Sequence, residues 1–164
     1  VNLINAQLLA KERGVEIVEQ KSTTPAEFAN QVTLRVVNQN GHASSLTNDE
    51  RIDVLSGTVM HGEPRIVRVG RYWTEFVPEG YILFCRNIDQ PGMIGHVGTI
   101  LGKARVNIRH MDVGPSVRKA RAYDVERPTE PALMVISVDN SIPEWALQEI
   151  RRAGDIFGVK VVNL

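Results

Sequence analysis

Residues 81–108 read YILFCRNIDQPGMIGHVGTILGKARVNI, and the rest of the chain is arranged around them. Tyr81-Ile-Leu-Phe-Cys85 is a short apolar run of the length and richness of a buried strand. A polar break, Asn87-Ile-Asp-Gln-Pro-Gly92, follows, and Pro91 belongs near the beginning of a helix, where its missing N–H costs nothing. Ile94, Val97, Leu101 and Ala104 then recur at three- and four-residue spacing, which predicts a helix over 91–104 with that stripe facing a core. A second strand is expected over 106–113. Such a loop, rich in hydrogen-bonding side chains at a helix N-terminus, suits a small polar ligand.

Downstream the pattern repeats after an insert at 114–131 that is dense in Arg and Lys. A strand is predicted over 132–138, a helix over 143–153 opened by Ile142 and Pro143 and closed by Gly154, and a strand over 158–162. The resulting order, βαββαβ, predicts an antiparallel sheet with both helices on one face and right-handed crossovers. Upstream, a helix is expected over 2–13, ended by Gly14, with Leu3, Ala6, Leu9 and Ala10 on one face. Residues 15–19 alternate apolar and acidic, as in a strand with one wet face. Further strands are expected over 31–37, ending at the Asn-Gly turn signal of 38–41, and over 51–60, where Gly57 marks a bulge or a close backbone approach. A tight hairpin about Gly70 joins 64–69 to 71–76. Composition and turn chemistry change together at Pro78-Glu-Gly80, so the expected domains are 1–78 and 79–164, and the fold class is α+β.

The 164 residues are enough for one medium domain or two small ones. The 19 Lys and Arg balance the 19 Asp and Glu, which argues against a nucleic-acid or acidic-membrane partner. The predicted strand 132–138 also lacks the aromatic residues that RNA-recognition domains use for base stacking. No apolar run is long enough to span a membrane as a helix, and no signal peptide is visible. Cys85, the single cysteine, reads as a buried hydrophobe, and a cytoplasmic setting is expected. The chain lacks an initiator Met, which is expected of a piece of something longer.

Asn87-x-Asp89-x-Pro91-Gly92, followed by Ile94, Leu101 and Val106-Asn107-Ile108, resembles the signature of an ACT domain, a small regulatory module that binds amino acids. The opening Val1-Asn-Leu-Ile-Asn-Ala6, with Leu9-Ala-Lys-Glu-Arg-Gly14 and Leu55-Ser-Gly-Thr58, resembles the allosteric substrate-binding domain that precedes the ACT domain in the longer D-3-phosphoglycerate dehydrogenases. The resemblance covers nearly the whole chain. It implies an allosteric substrate-binding-like unit followed by a ferredoxin-like ACT domain. It also implies a parent enzyme that oxidises 3-phosphoglycerate with NAD at the first step of serine synthesis. In this stretch it implies neither a catalytic residue nor a cofactor, L-serine as effector, and a homo-oligomer joined at ACT edges. Two alternatives stay open: part of an iron–sulfur L-serine dehydratase, or a purely structural oligomerisation module. A cluster needs several cysteines, and this chain has one.

The resemblance places effector ligands at Asn87, Asp89 and Asn107, with Asn107 reaching across from a neighbouring subunit. An amino acid is a zwitterion, so Asp89 suits its ammonium, while helix N–H groups and the amides of Asn87 and Asn107 suit its carboxylate. The competing reading makes Asp89 a helix cap and Asn107 a turn residue. Arg65, Arg68 and Arg71 surround Gly70 and are candidates for an anion or phosphate, the planar guanidinium fork being suited to oxyanions. Residues three apart on a strand point to opposite faces, so Arg65 and Arg68 converge only if a bulge intervenes; a solvated charged edge is the alternative. Arg118, Lys119 and Arg121 read as a solvated loop. Gly92, Gly95 and Gly98 do not form G-x-G-x-x-G and are read as packing the helix closely on its sheet. His42, His61, His96 and His110 have no metal-ligand spacing.

Overall fold

The computed structural model of the chain describes residues 6–23, 28–37, 54–114 and 131–164. The turn signal at 38–41, His42 and most of the basic insert, with Arg118, Lys119 and Arg121, lie outside the described residues. A helix α1 (Ala6–Glu12) precedes strands β1 (Gln31–Arg35), β2 (Val54–Met60), β3 (Glu63–Val69) and β4 (Tyr72–Phe76). Then come β5 (Tyr81–Ile88), α2 (Met93–Lys103), β6 (Ile108–Gly114), β7 (Pro131–Val138), α3 (Glu144–Arg152) and β8 (Ile156–Asn163). The strands form two four-stranded antiparallel sheets, ordered β1-β2-β3-β4 and β6-β7-β5-β8. The architecture is therefore α+β, with two sheets, as expected.

The second sheet is covered on both faces. Leu83 and Cys85 of β5, with Met134, Ile136 and Val138 of β7, face Val97, Ile100 and Leu101 of α2 and Ala146, Leu147 and Ile150 of α3. The intervening residues Ile82, Leu133 and Val135 face Val69, Tyr72 and Phe76 of the first sheet, and the Phe76 and Phe84 rings meet edge to face at 5.8 Å. Cover on both sides explains why β7 from Ala132 to Val138 is buried at every position and reads as an unbroken apolar run, Ser137 apart. Ile136 has no exposed surface. Its truncation to alanine is expected to cost about 3 kcal/mol, within the range for buried large-to-small changes. A urea midpoint equal to the wild type's would show that the helix-side core is not packed as described.

The sheets also meet along a polar seam. Gly114 passes so close to the Trp73 carbonyl that a Cβ there would lie 2.9 Å from the carbonyl carbon. Beside it, the Glu75 N–H donates to Asp112 Oδ2 at 3.2 Å, and His110 Nε2 donates to the Glu75 carbonyl at 3.0 Å. Both peptide groups of an edge residue of β4 are thus satisfied by side chains of β6.

Three expectations are corrected. Residues 15–19 form no strand and are exposed, Val15 and Ile17 included; among the described residues no neighbouring strand supplies ladder bonds. Helix α2 starts at Met93, after Gly92 at φ 93°, so Pro91 stands outside it. The buried stripe is Met93, Val97, Ile100 and Leu101, and Ile94 is 53% exposed. Finally, an added Cβ at Gly92, Gly95 or Gly98 meets nothing within 4 Å, so close helix–sheet packing does not account for these glycines. The bulge foreseen at Gly57 is present, as a register shift between Ser56 and Gly57.

Candidate functional site

The loop between β5 and α2 is built from the β5 end outward. Asn87 is the last inward-facing residue of the strand and is 2% exposed. Its amide lies 2.7 Å from the Ile88 carbonyl. A carbonyl only accepts, so the atom facing it is Nδ2, and Oδ1 is turned away. That Oδ1 is buried with no hydrogen-bond partner. An orphaned acceptor of this kind costs about 1–3 kcal/mol, so a donor that reached it would be bound with corresponding gain. Amide chemistry alone would make Asn87 a donor to the ligand carboxylate. The structure instead leaves an acceptor open, which suits an ammonium or a hydroxyl.

Asp89 and Gln90 follow, both exposed, and then Gly92 turns the chain into α2 through its left-handed conformation. A Cβ-bearing residue adopts that φ only with strain, and a glycine there leaves the first N–H groups of the helix uncovered. Asp89 is engaged in an interaction of its own. Gln90 Nε2 donates to Asp155 Oδ2 at 2.8 Å, and the Ile88 N–H donates to the Asp155 carbonyl at 2.9 Å. Sequence reasoning missed both Gln90 and Asp155; Gln90 lies inside the quoted loop, but nothing in the spacing links it to a residue 65 positions on.

Asn107 is not brought to this loop. Register pairs Ile108 with Val138 and Val138 with Tyr81, whereas Asn87 is level with Ala132. Asn107 thus lies at the opposite end of the sheet, about 20 Å away at the usual rise per strand residue. There its Nδ2 donates to Asp139 Oδ2 at 2.8 Å, and its carbonyl accepts from the Asp139 N–H at 3.2 Å. Within one chain it stands just before β6, past the turn at 104–105, and is bonded to Asp139, with Oδ1 as its remaining amide acceptor. Asp139 also pairs with Arg109 at 3.5 Å.

The arginine group has a different geometry from the simple strand alternation. Thr58 is opposite Arg65 and Ser56 is opposite Arg68, and partners across a ladder share a face. Ser56 and Gly57 are adjacent on β2 yet face Arg68 and Ile66, so β3 carries one extra residue, Val67, and this bulge puts Arg65 and Arg68 on one side. Both are already engaged. Arg65 pairs with Glu63 at 3.1 Å and Glu75 at 3.0 Å, and Arg68 Nε donates to the Gly70 carbonyl at 2.9 Å. Arg71 has an interaction as well.

Cys85 has no exposed surface, and burial pushes its thiol up to about 12, the nearby Arg151 offsetting this only in part. It is not a nucleophile at neutral pH. Among the described residues no group of three or more His, Cys, Asp and Glu is placed to hold a metal ion, and no helix is long and apolar enough to cross a membrane.

Residues 81–155 match the ACT domain family, and residues 1–70 match the D-3-phosphoglycerate dehydrogenase intervening domain. Among curated proteins, the chain is similar to D-3-phosphoglycerate dehydrogenase 3, chloroplastic, of Arabidopsis thaliana, at 35% identity over 98% of the chain and 26% of that protein. The D-3-phosphoglycerate dehydrogenases of Methanocaldococcus jannaschii and Bacillus subtilis are each 30% identical over 100% of the chain, which covers 27% and 28% of them. The chain therefore spans about a quarter of the length of the curated relatives it matches.

Proposed function

Because the chain corresponds to the intervening domain plus the ACT domain of phosphoglycerate dehydrogenase, we propose that it senses L-serine for a parent enzyme that oxidises 3-phosphoglycerate with NAD. On this reading 1–78 is the allosteric substrate-binding-like unit and 79–164 a ferredoxin-like ACT domain. The strand order β6-β7-β5-β8, with both helices packed on one face, supports the second assignment. Arg65, Arg68 and Arg71 remain candidates for an anion in the first unit, their existing partners being what an oxyanion would displace.

The observation that carries the serine reading is Asn87, a nearly buried amide with an unpartnered oxygen, next to Asp89 and a helix N-terminus. The two acceptors receive the ligand ammonium, and the first N–H groups of α2 receive its carboxylate. Asn107 joins from a second copy. No strand pairs with the outer side of β6 among the described residues. Antiparallel pairing of β6 with its own copy about a two-fold axis sets the start of one strand beside the end of the other. That brings Asn107 of one chain to the Asn87 end of its neighbour. Serine then favours the paired arrangement by its difference in affinity, the one means by which it shifts activity.

Calorimetric titration with L-serine, with light scattering at the same concentrations, tests this. Saturable binding that strengthens as the chain dimerises is expected. Equal affinity in a monomer would refute the shared site, and no heat from any of the twenty amino acids would refute sensing altogether.

A further inference from the structure

The loop that carries Asp89 is held from one side by a single residue of the α3–β8 turn. The Asp155 carbonyl accepts from the Ile88 N–H at 2.9 Å, and its side-chain Oδ2 accepts from Gln90 Nε2 at 2.8 Å. Gln90 Nε2 also lies 3.6 Å from the sulfur of Met93, the first residue of α2, which is buried. One amide thus links the turn, the loop and the helix start. Asp155 is itself fixed by a tight turn, in which the Ile156 N–H donates to the Ala153 carbonyl at 3.0 Å. Ile156 then pairs across the ladder with Asn87. The turn therefore touches the loop at both of its ends, at Asn87 and at Gln90, with Asp89 between them.

We infer that Asp155 is a positioning residue for the amino-acid site, acting through Gln90 to hold Asp89 and the start of α2 in one geometry. This rests on the reading of the loop as an amino-acid site, and Asp155 makes no contact with the ligand. Its bond to Gln90 is charge-assisted and exposed, so its loss leaves the core intact while freeing the loop. A loop already ordered before binding pays less entropy on binding, which is where the affinity comes from.

The test is L-serine titration of the chain and of Asp155→Ala, Asp155→Asn, Gln90→Ala and the double alanine variant, with melting temperature recorded for each. Asp155→Ala is expected to weaken serine about tenfold with little change in melting temperature, the size of one hydrogen bond to a charged group. Gln90→Ala should do the same. The double variant should be no weaker than either single one, since both remove the same bond. Asp155→Asn keeps an acceptor and should recover most of the affinity. Unchanged affinity in both single variants would overturn the role of Asp155 while leaving the site standing. A lower melting temperature with proportionate loss in every variant, Asp155→Asn included, would reduce it to a structural residue. Failure of the wild-type chain to bind any amino acid would overturn the underlying reading as well, and is recognised before any substitution is made.

Discussion

Gly114→Ala is expected to lower the melting temperature of the chain by about 6–12 °C, since its added Cβ makes the closest approach to backbone of any among the described glycines. The added Cβ would fall inside the Trp73 carbonyl group, 2.9 Å from its carbon and 3.7 Å from Thr74 Cβ. The obstacle is the backbone of Trp73, so no side-chain rotation relieves it. The sheets must separate locally, and overpacking that moves backbone costs about 3 kcal/mol. Separation would fall on Phe76, Phe84, Leu133 and Val135, which pack across the same contact. Near-ultraviolet circular dichroism should register the change at the Phe76–Phe84 pair. A variant that melts with the wild type would mean that β4 and β6 do not cross as closely as described.

The second large effect is on binding. Asp89→Ala is expected to reduce L-serine affinity about thirtyfold or more, because removing one side of a charge pair that the ligand and the neighbouring copy would cover costs about 2–5 kcal/mol. Asp89 is exposed and outside both cores, so folding should be little affected. Asp89→Asn retains an acceptor without the charge and should fall between alanine and the wild type. A ligand set sharpens the assignment. Glycolate, which lacks the ammonium, should bind the wild-type chain and Asp89→Ala equally poorly, whereas L-serine should separate them. If Asp89→Ala binds serine like the wild type, the ammonium lies elsewhere and the zwitterion model of this loop fails.

Much of the fold is legible in residue order, and what is not has physical causes. The apolar runs at 81–85 and 132–138, the Gly70 hairpin and the Gly57 bulge are local signals, and each corresponds to a structural element. On α2 two adjacent apolar residues, Met93 and Ile94, compete for the same stripe, and spacing alone does not decide that Met93 is buried and Ile94 is left in solvent. Residues 15–19 show that alternation does not promise a partner strand. The shared side of Arg65 and Arg68 depends on the register shift between β2 and β3, which one strand's sequence does not contain. The orientation of Asn87 was equally out of reach. An amide offers both a donor and an acceptor, and the Ile88 carbonyl decides which atom is free. Asn107 and Asp89 belong to one motif in the chain and to opposite ends of one sheet, a separation that only strand register reveals.

The seam at Glu75 has a bearing on how the chain behaves in crowded solution. An outermost strand with free peptide groups invites a foreign strand to dock and is a common start for aggregation. At β4 that invitation is withdrawn near its end, since Asp112 occupies the N–H and His110 the carbonyl of Glu75. The protection is charged and sits on the neighbouring sheet, so it holds only while the two sheets stay together. Loss of their contact would therefore expose a sticky border as well as weaken the fold, and such molecules would clump before they finished unfolding.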